Sequence, residues 1–276
     1  MAKIRKFGFD VVHGCQLRCV GCPNSTLKPK ISWLTPEFFS KCLSNLDVDE
    51  VSQLRLFVYG EPMLHPDLPE VIAQIPKQKF KTRRIDISTN AQCKITDTLE
   101  KIIRQKIVTH FGISCDGDGT PEDYERLRSP SKWNRMIEWL ETVSNLRKLY
   151  NPKLKLLTRT ICTKRTGQKR WKKILKPYGF EPHFRHMRRD PQSVYAATKK
   201  IKMAKGACDF VKKSYFYADA DGTVIPCCVH PRAVVLGDLS KQTYSEICAT
   251  TRKAFAKKMA KQRKIIPICN KCEILC

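Results

Sequence analysis

The chain has 276 residues, 42% hydrophobic and 28% charged, which is enough apolar side chain for one large core or for a large domain with a small one. No apolar run approaches the roughly 20 residues that cross a bilayer, and the basic start "MAKIRKFGFDVV" lacks the long apolar stretch and small-residue cleavage site of a secretory signal, so we expect no membrane association and a cytoplasmic location. In that reducing setting 14 cysteines point to metal or redox chemistry instead of a disulfide framework, and a net charge of +26 argues against an enzyme of a small neutral metabolite.

In chain order, β-like runs fall at 6–12, 53–60, 83–89, 110–115, 153–161 and 181–187. Helical patterns lie between them at 35–46, with Thr35 as cap and Pro36 in the first turn, then at 67–75, 96–106, 131–150 and 170–179, the last ending at Gly179. Six consecutive βα units predict an α/β fold whose parallel sheet is covered by helices or curled into a full or partial barrel. In such folds chemistry gathers where strands end and loops begin.

The first strand exit is "VVHGCQLRCVGCPNS", which spaces Cys15, Cys19 and Cys22 as CxxxCxxC. A closed structural zinc site uses four protein ligands, while a catalytic centre holds three and keeps one position open. The competing reading is three small buried hydrophobes. The second exit, "VYGEP", offers Gly60 for close backbone approach and the Glu61 carboxylate; the third, "STNAQ", offers Asn90; the fourth is "ISCDGDG", with Arg128 a little downstream. A carboxylate, an amide, a hydroxyl and a guanidinium at successive exits can grip a small zwitterion with an amine, a carboxylate and ribose hydroxyls, although glycines and Asx residues are common after strands for turn reasons alone.

Charge is unevenly spread. Residues 151–214 carry 19 Lys and Arg against 3 Asp and Glu, and residues 251–276 carry 8 against 1, whereas residues 1–150 carry 23 against 18. One side or end of the molecule is therefore expected to face a polyanion, the alternative being a solvated basic face.

The last third holds a second cysteine set. Cys208 precedes a strand, a hairpin is predicted at Asp221-Gly222, and Cys227 and Cys228 sit on the return strand. An amphipathic helix follows, apolar at Tyr244, Ile247, Cys248, Phe255 and Met259, and the chain ends "CNKCEILC". Four thiolates from Cys208, Cys227, Cys269 and Cys272 would close either a tetrahedral zinc site or an iron-sulfur cluster. Cys42, Cys93, Cys115, Cys162 and Cys248 fit helix or strand interiors, where packing is the expected role.

On these motifs the chain resembles a radical S-adenosylmethionine (SAM) enzyme over nearly its whole length. The resemblance implies a partial (β/α)6 barrel over residues 1–195, followed at 196–276 by a small cysteine-rich α+β domain with a β-hairpin. It implies that Cys15, Cys19 and Cys22 hold three irons of a [4Fe-4S] cluster whose fourth iron takes the amino and carboxylate groups of SAM. Gly60 and Glu61 match the family's Gly-Gly-Glu segment, with Tyr59 in place of the first glycine. Ser88 and Asn90 match the third-strand position near SAM, Ser114 and Asp116 match an "S-x-D-G" signature, and Arg128 matches an arginine that reaches the SAM carboxylate. Gly21 departs from an aromatic residue that many members carry before the third cysteine.

The C-terminal pattern "C-x13-G-x4-C", then "LGDL", then CxxC, is similar to the auxiliary-cluster extension (SPASM or the shorter twitch type) found after the barrel in members acting on peptides and other large substrates. It implies one auxiliary [4Fe-4S] cluster on Cys208, Cys227, Cys269 and Cys272, with Cys228 or Cys276 as a substitute ligand. The implied reaction uses an electron from a flavodoxin- or ferredoxin-like donor to cleave SAM to methionine and a 5'-deoxyadenosyl radical, which takes hydrogen from an unactivated carbon.

For the substrate, the basic 151–214 segment, with Trp171, Tyr178, Phe180, Phe184 and Tyr195 interleaved for stacking, leads us to expect DNA or RNA base modification. A peptide or protein maturase acting on an acidic peptide is the alternative; no N-terminal leader-recognition module is expected, since the first strand begins at about residue 4. A zinc-stapled basic nucleic-acid-binding protein is a third reading. Fold position names Arg159, His186, Arg188 and Asp190, at the ends of strands five and six, as candidates for catalytic and other substrate-side roles.

Overall fold

The computed structural model describes residues 2–185, 208, 210, 215–228, 234–262 and 269. Strand β1 (Lys3–Ile4) breaks at Arg5 and resumes as β2 (Lys6–Phe9). The other barrel strands are β5 (Glu50–Arg55), β6 (Lys81–Thr89), β7 (His110–Ser114), β8 (Lys155–Ile161) and β9 (Glu181–Arg185). They are hydrogen-bonded side by side in the order β2, β5, β6, β7, β8, β9, and every neighbouring pair is parallel. Parallel neighbours need helical crossovers, and these are α2 (Pro36–Ser44), α3 (Leu68–Ile72), α4 (Asp97–Arg104), α6 (Trp133–Tyr150) and α7 (Arg165–Leu175).

Local signals account for the helix starts. Thr35 accepts the Phe38 N–H at 3.2 Å, Pro36 occupies the first turn, and Glu37 sits where the helix dipole favours an anion. Two short helices escape the sequence pattern: α1 (Asn24–Leu27), and α5 (Pro121–Leu127), which Thr120 caps through the Asp123 N–H. Between sheet and helices lies one apolar core whose fully buried members include Phe7, Phe9, Leu54, Phe111, Trp139 and Trp171.

The C-terminal hairpin does not stand apart from the barrel. Strand β10 (Tyr215–Ala218) pairs parallel with β2, with Tyr215 opposite Lys6 and Ala218 opposite Phe9. Strand β11 (Thr223–Ile225) returns antiparallel, with Gly222 in the left-handed region of the turn (φ +83°), and β12 (Gly237–Asp238) adds a last antiparallel partner. The predicted amphipathic helix runs from Tyr244 to Gln262 through one π-turn at Cys248–Arg252 and buries Ile247, Phe255 and Met259. The expected boundary between residues 195 and 196 lies outside the described residues. No helix among the described residues is long and apolar enough to cross a membrane.

Candidate active site

A small ribbon of β3 (Val12–His13) and β4 (Ser32–Trp33) clasps the ends of the cysteine loop. Inside it, the Arg18 N–H donates to the Ser129 carbonyl at 2.7 Å and the Val20 N–H to the Leu127 carbonyl at 2.8 Å. Those two bonds bring the turn after α5, and with it Arg128, against Cys19. Gly21 adopts φ +81°, a backbone region that disfavours any residue with a Cβ. The departure from an aromatic residue at this position thus has a local conformational cause.

The second strand exit is fixed to the first by a residue that sequence reasoning passed over. Asp10, buried at the end of β2, accepts the N–H groups of Val58, Tyr59 and Gly60, at 2.6, 2.9 and 3.0 Å for the shortest contact of each. Burial and the neighbouring Asp219 raise its carboxyl to about 7. Gly60 crosses so close to the first strand exit that a Cβ there would stand 1.7 Å from the Val12 carbonyl oxygen. The Glu61 N–H then donates to the Gly14 carbonyl at 3.0 Å, and Asn24 Nδ2 to the Tyr59 carbonyl at 3.0 Å.

Glu61 is buried at 3% exposure and uses its carboxylate to join exits two and three. One oxygen accepts the Met63 N–H at 3.1 Å and the other accepts the Asn90 N–H at 2.6 Å. Burial raises its carboxyl to about 7, against the hydrogen bonds that favour the ionised form. Asn90 in turn donates Nδ2 to Cys15 Sγ at 3.3 Å and exchanges amide hydrogen bonds with Gln16 at 3.1 and 3.3 Å. Gln16 also donates to Cys93 Sγ at 3.3 Å. Cys93, expected only to pack, therefore borders the cysteine loop.

At the fourth exit Asp116 accepts the Ile161 N–H at 2.8 Å and pairs with Arg128 Nη1. Burial alone would lower the Arg128 guanidinium, but Cys19 and Asp116 beside it hold it well above its ordinary value. Arg128 Nε and Ser88 Oγ are both buried and have no hydrogen-bond partner among the described residues, and Ser114 is half-buried at the end of β7. Glu61, Asn90, Asp116, Arg128 and the three cysteines are thus linked by direct contact or by close electrostatic approach.

All three cysteines are half-buried and free. Burial, then Glu61, raises the Cys15 thiol to about 11; burial, then Cys19, raises Cys22 to about 12; burial raises Cys19 against the pull of Arg128. Three neighbouring thiols held so far from ionisation become thiolates together only with a cationic centre among them. Among the described residues no three His, Cys, Asp or Glu side chains close round a single ion. The donor chemistry and the orphaned Ser88 and Arg128 atoms fit a thiolate-held cluster with a polar cosubstrate beside it.

The second cysteine set is described in part. Cys208, Cys227 and Cys269 are each half-buried, and Cys208 and Cys269 pack against the apolar core. Cys272 and Cys276 lie outside the described residues. Cys228 is hydrogen-bonded to the buried Tyr217 phenol, whose ionisation is pushed up by burial and by Cys228 itself, and Lys6 stands within electrostatic reach of that thiol. His13 Nδ1 lies 3.0 Å from Asp219 at the tip of the hairpin, tying the first cysteine loop to the second region.

Of the candidate substrate-side residues, Arg159 projects into the barrel, 3.4 Å from Asp86 and with its guanidinium 4.5 Å from the Phe57 ring centroid. His186, Arg188 and Asp190 lie outside the described residues. The aromatics expected to stack bases are placed otherwise. Trp171 is fully buried, donating Nε1 to the Gly117 carbonyl at 2.9 Å, Phe180 is buried, and Tyr178 and Phe184 pack half-buried against the core. Tyr195 lies outside the described residues.

Residues 10–167 match the Radical SAM superfamily, and residues 208–273 match an iron-sulfur cluster-binding domain of the SPASM type. Among solved structures, the fold is similar to BtrN in complex with AdoMet and 2-DOIA, at 17% identity and TM-score 0.62 over 100% of this chain and 95% of that one. It is similar to anSMEcpe with bound AdoMet at 15% identity and TM-score 0.65, covering 98% of this chain and 88% of that one. A further anSMEcpe structure, with bound AdoMet and the Cp18Cys peptide, matches at 14% identity and TM-score 0.62, over 98% and 88% of the two chains. No curated protein sequence matches.

Proposed function

The chain belongs to the radical SAM superfamily and carries a C-terminal SPASM iron-sulfur domain, and from that premise we propose that it modifies a peptide or protein substrate by hydrogen abstraction. The observation that favours a peptide is the fold's likeness, over 98% of the chain, to anSMEcpe with AdoMet and a peptide bound. Nothing in the comparisons supports a nucleic-acid substrate. The burial of Trp171 and Phe180 also removes two of the aromatics on which that expectation leaned.

In this reading Cys15, Cys19 and Cys22 hold the SAM-binding [4Fe-4S] cluster, and Cys208, Cys227, Cys269 and Cys272 hold the auxiliary one. When bound, cluster and SAM supply one-electron reductive cleavage and a primary carbon radical that takes a hydrogen atom from the substrate. The protein's own share is positioning. Asp10 clamps the Val58–Gly60 backbone, Glu61 locks the second exit to the third, and Asn90 supports the Cys15 sulfur. Arg128, with Nε unused, and Ser88, with its hydroxyl unused, remain to take the polar ends of SAM. Barrel residues 1–195 and auxiliary residues 196–276 are then the two working parts, with a flavodoxin- or ferredoxin-like protein as electron donor.

Deuterium transfer tests the substrate class. Holoenzyme with SAM, dithionite and perdeuterated cellular peptides should give monodeuterated 5'-deoxyadenosine. Deuterium arriving only from perdeuterated oligonucleotides would instead establish the nucleic-acid alternative.

A further inference from the structure

Basic side chains from successive barrel strands converge on one neighbourhood, Lys6 from β2, Arg55 from β5, Arg84 from β6, His110 from β7 and Arg159 from β8, with the exposed Arg185 of β9 within electrostatic reach of Lys6 and Arg159. At its centre is Asp86, whose side chain is 0% exposed. Asp86 is spoken for. Arg84 takes both of its oxygens, at 2.6 and 3.0 Å, and Gln53 takes Oδ2 at 2.7 Å. Arg159 reaches it only at 3.4 Å and Arg55 only at 3.9 Å, and the Nε atoms of both are buried with no hydrogen-bond partner among the described residues.

One carboxylate thus faces three arginines, Arg55, Arg84 and Arg159. Burial, then Arg55 and Arg185, lowers Arg159 to about 9, and burial, then Arg55, lowers Lys6 to about 8, with Arg185 adding to the effect. Such a concentration of desolvated like charge is costly unless an anion joins it. The planar fork of arginine suits a two-oxygen anion held by paired N–H groups. The location matches a substrate site. Arg84, Asp86, Ser88 and Asn90 alternate along one face of β6, so at about 3.3 Å per residue Asp86 lies roughly 13 Å from Asn90, deeper in the barrel than the cysteine loop. Arg159 is in register with Ser114 at the β7 exit.

We propose that Arg55, Arg84 and Arg159, arranged round Asp86, form an anion subsite that takes a carboxylate of the substrate, an Asp or Glu side chain or the C-terminal carboxylate, and so orients the carbon presented to SAM. The proposal rests on the peptide reading above. Arg84 and Gln53 supply the short hydrogen bonds to Asp86, so Arg55 and Arg159, whose contacts with it are long, keep donors for a ligand.

The test is equilibrium binding of three probes to cluster-reconstituted, SAM-loaded protein: the peptide acetyl-Ala-Glu-Ala-amide, its Gln counterpart, and inorganic phosphate. The Glu peptide should bind at least about tenfold tighter than the Gln peptide, the difference of about one charge-assisted hydrogen bond, and Arg159→Gln should erase that preference. Asp86→Asn, which removes the competing carboxylate, should move it the other way and tighten the Glu peptide. Equal binding of the two peptides by the wild type, or a preference unchanged in both variants, would overturn the subsite. Binding of phosphate without discrimination between the peptides would overturn its assignment to a carboxylate. A parallel assay of 5'-deoxyadenosine release by wild-type enzyme separates the two levels: no release defeats the catalytic reading, while release without peptide discrimination defeats only the subsite.

Discussion

The Glu61 carboxylate accepts the backbone N–H of Asn90 at 2.6 Å, so the ends of β5 and β6 are joined by one buried charge-assisted hydrogen bond. The same side chain caps Pro62–Leu64 through the Met63 N–H. Glu61→Gln would present an NH2 group to one of these two donors. We expect it to lower stability by about 1–3 kcal/mol in urea unfolding of the apoprotein, and to weaken SAM retention by the reconstituted enzyme in equilibrium dialysis.

Gly60 passes the first strand exit with no room for a side chain, because the atom a Cβ would strike at 1.7 Å is a backbone carbonyl that cannot rotate away. Gly60→Ala should therefore cost about 3 kcal/mol or more and should be among the most damaging single-methyl changes in the barrel. A urea midpoint indistinguishable from wild type would show that the segment relaxes more freely than its contacts indicate.

Asp10 gives a pH signature. Its folded-state carboxyl lies near 7, raised from an ordinary 3.8 by burial and by Asp219. Between those values the folded state holds a proton that the unfolded state has lost, so this group's destabilisation is absent below about pH 4, grows as pH rises and is complete above about 7. The stability difference between wild type and Asp10→Asn, measured by urea titration of the apoprotein, should shift in favour of the variant across that window. A difference flat with pH would mean that Asp10 is ionised in the fold throughout.

Trp171 separates a core role from a binding role. It is fully buried, and its ring lies 5.5 Å from that of Trp133. Trp171→Ala should destabilise the protein by about 3–5 kcal/mol in calorimetry or urea unfolding. Normal stability with selectively weakened oligonucleotide binding would restore the stacking role.

Much of this was legible in local pattern. Six β-like runs and five helices emerged because barrel strands are apolar runs and their crossover helices carry caps and a 3.6-residue period, as Thr35 and Pro36 illustrate. The cysteine loop and the strand exits were legible because their residue types and spacing carry the chemistry. Asp10 was not, since its value lies in bonds to residues 48 to 50 positions away that leave no trace in periodicity. Gln16 and Cys93 stayed hidden for the same reason, being 77 residues apart. The inward basic residues are spread over several strands, so segment charge counts did not reveal their cluster, although fold position did name Arg159 as a substrate-side candidate. The core position of Trp171 did have a signal: Gly167, Trp171 and Leu175 recur every four residues along α7 and are all buried, while Lys169, Arg170, Lys172 and Lys173 between them are exposed. Helical period was the better guide there than composition.

The account stands or falls on SAM cleavage through the cysteine loop. Anaerobically reconstituted protein given SAM and dithionite should release 5'-deoxyadenosine and methionine in equal amounts, and Cys19→Ala, still folded by circular dichroism, should release neither. Wild-type protein that takes up iron and sulfide yet releases no 5'-deoxyadenosine, or a Cys19→Ala variant that releases it as well as wild type does, would contradict the assignment.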